Sequence, residues 1–215
     1  FTGFALFLTC CFFTIGNISG TGAGMQLVFG IDWKLGAMIM ICVLIYCYFS
    51  KGVYSKIEKG VGICVLGMIV AFYITLVGTG GPSVSAMAKG LSAWRFPEGS
   101  MATALGFLST HAALTTGIYG TYLGSEKKWK KEDLFNGTLL ADSIAHVICV
   151  ILISGAVMLV AAIVLNPTKT IVKSPAELAE MLVPVMGSVA RPIMGIALLG
   201  AGFSSLLGNT QRGVV

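Results

Sequence analysis

The chain has 215 residues, 56% of them hydrophobic and only 11% charged, with a net charge of +5 and a mean hydropathy of +0.90. Soluble domains carry roughly 25% charged residues, so this composition excludes a water-soluble globule. Nucleic acid is excluded as the natural partner too, because the excess positive charge sits in short connections between apolar runs, where it reports membrane orientation.

In chain order, apolar runs approaching the roughly 20 residues that cross a bilayer predict spans at 2–30, 35–50, 61–80, 101–124, 134–165 and 189–215. The expected class is an all-α integral membrane protein whose main partner is the lipid bilayer. In the first span Gly16, Gly20 and Gly24 recur every four residues on one face, a spacing that admits close approach of another helix. A dinucleotide loop at GTGAG would need a preceding strand and a βαβ unit, and neither is available. Cys10, Cys11, Cys42, Cys47, Cys64 and Cys149 all lie inside apolar runs without metal-ligand spacing, so they read as small hydrophobes.

The densest basic connections are Lys51/Lys56/Lys59 and Lys127/Lys128/Lys130/Lys131. Two spans separate them, which puts both on one side. The positive-inside tendency makes loops 51–59 and 127–131 cytoplasmic, in what reads as a bacterial plasma membrane. Lys34, Lys89, Arg95, Lys169, Lys173 and Arg191 then face outward. Between the fifth and sixth spans, SPAELAEMLVPVMG opens with Ser174, Pro175 and Glu177 in capping-box order, predicting a surface or interfacial helix. Phe1 and Val215 both fall inside apolar runs. The expectation is one transmembrane domain over 1–215, cut from a longer protein.

The fourth span is unusual. FLSTHAALTTG, residues 107–117, places Ser109, Thr110, His111, Thr115 and Thr116 between Gly106 and Gly117. Backbone inside a bilayer must be satisfied internally unless it lines a cavity, and hydroxyls can hold carbonyls freed by unwinding. One reading is a helix broken near 107–117, of the kind that binds substrate at the midplane of secondary transporters. The other is a continuous helix whose hydroxyls bond back to the preceding turn. Ionisable groups in the membrane are His111, His146 and Asp142, which are functional hypotheses by default, although His146 reads more simply as a packing residue. No Ser/His/Asp set, carboxylate pair or HExxH motif points to an enzyme, and no cofactor is implied.

The order of these features resembles a family. LVFGI at 27–31, YSKIEKG at 54–60, ALG at 104–106, LFNGTLLADS at 134–143 and GIALLGAGFSSLLGNTQRG at 195–213 look like landmarks of NRAMP-type divalent-metal transporters. The similarity runs from the third to the eighth helix and implies a leucine-transporter-like (APC) inverted-repeat fold. The family's first helix, which supplies Asp and Asn ligands, is then not in this chain. In the sixth helix of that family a Met-Pro-His motif marks the break. Counting without gaps from Ala104-Leu105-Gly106 puts Ala113, Leu114 and Thr115 on it, whereas using Ser109-Thr110-His111 needs a four-residue slip. Thr110 then falls where the family offers a backbone carbonyl to the ion.

The metal positions implied by the resemblance are therefore Thr110, Ala113 and Thr115, with His111, Thr116, Asn17, Thr14 and Asp142 as further candidates. A thioether is a soft ligand that favours transition metals, whereas Mg²⁺ prefers oxygen and keeps its water. Alanine at the methionine position suits hydrated Mg²⁺, with Mn²⁺ still accepted. The acidic positions of the third helix become Thr14 and Asn17, the motif histidine becomes Thr115, and a later histidine becomes Gly120. The pattern is similar to the NRAMP-related magnesium-transporter branch, which implies transport without proton coupling. The alternatives are a proton-coupled transition-metal (Mn²⁺/Fe²⁺) NRAMP, an amino-acid or organic-cation carrier of the same fold, and a non-transporting receptor or scaffold. A monomer is compatible with all of them.

Overall fold

The computed structural model describes residues 2–50, 53–93, 98–111 and 128–214. The described residues are helical and contain no strand. The principal helices are α1 (Thr2–Phe29), α2 (Trp33–Phe49), α3 (Val53–Gly78), α4 (Val84–Ser92), α5 (Met101–His111), α6 (Thr138–Val164) and α7 (Ala190–Val214). Three stretches, Gly3–Phe29, Thr138–Val164 and Val183–Thr210, are long and apolar enough to cross a membrane. Their surfaces carry what water would not tolerate, with Phe4, Phe12, Ile15 and Ile151 each more than 60% exposed. Exposed apolar side chains on this scale belong against lipid or other membrane helices. The chain is an integral membrane protein.

Two differences from the sequence reading concern boundaries. α3 begins at Val53 rather than near 61, because Tyr54–Lys59 holds no helix breaker and charged first turns can stand outside the apolar layer. The connection at 82–100 contains α4, started by Ser83, whose hydroxyl accepts a hydrogen bond from Ala86 N at 3.4 Å, and ended near Lys89. A serine N-cap and a cation in the last turn both answer the helix's unpaired ends.

The chain divides into two compact units, residues 1–81 with 150–215, and residues 82–149. In the first, α1 and α2 form a hairpin. Gly30 ends α1 with φ +70° and donates to Gln26 O at 2.9 Å, the left-handed position that glycine adopts without steric cost. Asp32 then caps α2 by accepting from Lys34 N at 2.9 Å. α7 packs antiparallel along α1, as Gly24 meets Gly195 and Asn17 and Thr21 meet Gly202.

A second layer joins α3, the end of α6 and the connector that precedes α7. Phe72, Val160, Ala179, Met181, Leu182, Ala190 and Met194 share one buried core. Tyr73 reaches across to α6, its hydroxyl donating to Leu152 O at 3.2 Å.

The connector corrects an expectation. Pro175–Met181 is a 3₁₀ turn, not an interfacial α-helix, and Ser174 makes no side-chain cap. Glu177 accepts from Lys173 N at 2.8 Å instead of closing a box on Ser174. Ala179, Met181 and Leu182 are at most 2% exposed, so the acids mark the outer side of a core element. Packing of Leu-Ala-Glu-Met-Leu into the helix layer outweighs a capping preference of about 1 kcal/mol, since burying one Met or Leu contributes about 1.5–3 kcal/mol.

In the second unit, Asn136 starts α6 by accepting from Thr138 N at 3.0 Å. Asp133 holds the preceding 3₁₀ turn Lys131–Leu134, accepting from Lys130 N at 2.8 Å.

Candidate metal site

α5 brings Thr110 and His111 to its last described turn. The helix is continuous through His111, so the break expected near 107–117 does not fall at 107–111. Its hydroxyls are accommodated within that helix. Ser109 donates to Gly106 O and Thr110 to Phe107 O, each at 2.8 Å, which is the back-bonding alternative for this part of the segment. Ala113, Thr115 and Thr116, with the rest of the expected break, lie outside the described residues, as do the side chains of His111 and Asp142.

Thr14 and Asn17 share one face of α1, a turn apart. Thr14 is half-buried and donates to Cys10 O at 2.7 Å. Asn17 is half-buried too, and its carbonyl would lie 3.3 Å from a β-carbon at Gly202 of α7. One turn further, Thr21 is fully buried and donates to Ile18 O at 2.9 Å. This face is polar, uncharged and internally hydrogen-bonded through its threonines. Among the described residues no three His, Cys, Asp or Glu side chains converge to hold a metal.

The sequence reads His146 as a packing residue. It is exposed on α6 and makes no hydrogen bond among the described residues. Asp142 and Ser143 precede it by four and three residues, so helical spacing puts the three on one face, but spacing could not say what that face meets.

Sequence reasoning passed over Asn209. It is 6% exposed, on α7, within the core that Leu206 and Leu207 also enter. The signal was present as a heptad of Gly195, Gly202 and Asn209, whose two glycines meet α1. Thr75, buried like Thr21 and Asn209, is satisfied by donating to Ala71 O at 2.9 Å.

The small-residue interface is likewise partly relocated. Gly24 lies where a β-carbon would approach Gly195 O and Leu199 within 2.8 Å, whereas Gly16 and Gly20 have nothing within 4 Å among the described residues. The residues that complete the seam are Gly195 and Gly202 on α7, and on the hairpin side Gly22 against Trp33 and Ala37.

Compared with known proteins, residues 1–215 match the sequence profile of the natural resistance-associated macrophage protein-like family. The chain belongs to the Nramp family. Curated Nramp relatives include the divalent metal cation transporter MntH of Agrobacterium fabrum, 28% identical over 94% of this chain and 46% of that protein. MntH of Vibrio campbellii is 28% identical over 94% of the chain and 48% of its own length. MntH of Brucella suis is 25% identical over 97% of the chain and 48% of its length. The chain spans about half the length of these curated relatives.

Proposed function

We propose that the protein carrying this chain moves divalent metal cations across the membrane by alternating access, with Mg²⁺ and Mn²⁺ as substrates and without proton coupling. The observation that carries the reading is the family match over the whole chain, and the relatives at 28% identity are named as divalent metal cation transporters. On this reading the helices are the third to eighth of a leucine-transporter-like inverted-repeat fold, a plan that places ion sites at interrupted helices near the midplane.

Selectivity follows from the ungapped register. Ala113 stands where the family has a thioether, and Thr115 where it has the motif histidine. Loss of the soft ligand removes the preference for transition metals and leaves room for the water that Mg²⁺ retains. Thr110 contributes its carbonyl. Thr14 and Asn17, at the family's acidic positions, have no group that titrates near neutral pH. The half-buried, uncharged face that they form on α1 supports this reading.

The deciding experiment is uptake by the full-length protein in liposomes loaded with a Mg²⁺ indicator. Mg²⁺ influx above protein-free vesicles is expected. Robust Cd²⁺ or Fe²⁺ uptake with none of Mg²⁺ would reject the selectivity, and absence of any metal flux would reject transport.

A further inference from the structure

We propose that the turn from Lys128 to Phe135 binds the headgroups of anionic phospholipids. The turn lies within the second unit and ends three residues before α6, the most hydrophobic of the candidate spans among the described residues, with a mean hydropathy of 3.1 over its apolar window. Lys128, Lys130 and Lys131 are exposed, with half-buried Trp129 between them. Among the described residues no ion pair engages the three ammonium groups.

The neighbouring acids reduce this charge without cancelling it: three lysines stand against Glu132 and Asp133, which leaves a net +1 over residues 128–135. Asp133 is committed to the turn itself, one carboxylate oxygen accepting from Lys130 N at 2.8 Å and the other from Asn136 Nδ2 at 3.1 Å. Glu132 is exposed and enters no ion pair among the described residues. Its charge, like that of Asp133, weakens the pull of the lysines on an anion at this turn.

The apolar part of the turn decides which anion fits. Phe135 is 89% exposed, which is costly in water but suits the level where headgroups meet acyl chains, the depth at which aromatic side chains concentrate. Five residues on, Leu140, Ile144, Val147, Ile148 and Ile151 are exposed at helical three- and four-residue spacing along α6. A phospholipid would meet both features, its phosphate at the lysines and its chains along Phe135 and the α6 stripe. Free phosphate would meet only the first. A zwitterionic lipid carries its own cation and gains little from the lysines, whereas each lysine near an anionic surface favours it by about fivefold. The inference needs only the membrane setting and does not rest on the transport reading.

The test uses the full-length protein in phosphatidylcholine vesicles containing acyl-brominated phosphatidylglycerol or, at equal mole fraction, acyl-brominated phosphatidylcholine. Quenching at Trp129 is taken as the difference between the wild type and Trp129→Phe. Phosphatidylglycerol should quench more than phosphatidylcholine by about twofold or more, a fraction of what three lysines could supply. The combined Lys128→Gln, Lys130→Gln, Lys131→Gln variant should bring the ratio to unity, the corresponding arginine variant should keep it, and Glu132→Gln should raise it. Equal quenching in the wild type, or a ratio unchanged in the glutamine variant, overturns the proposal. So does loss of the preference in millimolar inorganic phosphate at constant ionic strength, which would assign the turn to a soluble anion. Should the glutamine variant not fold, the wild type decides in concentrated salt, where screening must shrink the ratio; a ratio that persists there rejects the lysines as its cause.

Discussion

At the scale of single residues, two kinds of position behave differently. Gly24 and Gly202 are glycines because a neighbouring helix occupies the space a side chain would need, within 2.8 Å of Gly195 O and 2.7 Å of the Thr21 methyl respectively. Gly202→Leu should cost about 1–3 kcal/mol through overpacking and lower the melting temperature in detergent, while Gly20→Leu, whose added β-carbon would meet nothing within 4 Å among the described residues, should leave it nearly unchanged. Equal destabilisation by both would mean that the α1–α7 register is wrong. Ala113 is argued from chemistry rather than contact. Ala113→Met should restore a soft ligand, raise Mn²⁺ and Cd²⁺ uptake relative to Mg²⁺, and reduce Mg²⁺ flux several-fold. Unchanged Mg²⁺ selectivity in that variant would place the methionine position elsewhere.

At the scale of elements, the connector before α7 is the segment whose role changes most on folding. Met181 and Leu182 are at most 2% exposed, while the Arg191–Glu180 ion pair beside them spans 3.7 Å with both partners largely in solvent. Leu182→Ala should therefore destabilise by about 2–5 kcal/mol. Arg191→Ala should cost under about 1 kcal/mol, because exposed ion pairs contribute little. Thermal melts of the purified variants, read alongside hydrogen exchange across 174–189, check both. An ion-pair variant as damaging as the leucine variant would contradict the burial argument. α5 shows another case: Ser109 and Thr110 bond back to Gly106 O and Phe107 O within a helix continuous through His111, while the rest of the expected break lies outside the described residues.

At the scale of the whole molecule, proton coupling needs a titratable group linked to the metal-bound or outward-facing state. The family resemblance puts those groups on Thr14, Asn17, Thr115 and Gly120. His111, His146 and Asp142 are the available substitutes, and histidine has an unperturbed pKa near 6.5. The expected result is Mn²⁺ or Mg²⁺ uptake without acidification of a dye-loaded vesicle interior when the membrane potential is clamped. Metal-dependent acidification that disappears in His111→Ala would establish coupling through that histidine. The same outcome in His146→Ala would point to the exposed position on α6.

Composition and the spacing of apolar runs were sufficient for the membrane class and for the places of α1, α2, α6 and α7, because a bilayer imposes length and hydropathy on each span separately. The order of landmarks, from LVFGI to the TQRG at the end of α7, was enough to suggest the family. Which face of each span meets protein was not legible, since a helix apolar all round offers lipid and core the same residues. Only tertiary packing selected Gly24 over Gly16 and Gly20. Packing also drew Ala179, Met181 and Leu182 into the core from a segment that caps and acids had marked as interfacial, and it buried Asn209 at the end of a glycine heptad. Local signals such as a capping box are worth about 1 kcal/mol, and several buried side chains together exceed that.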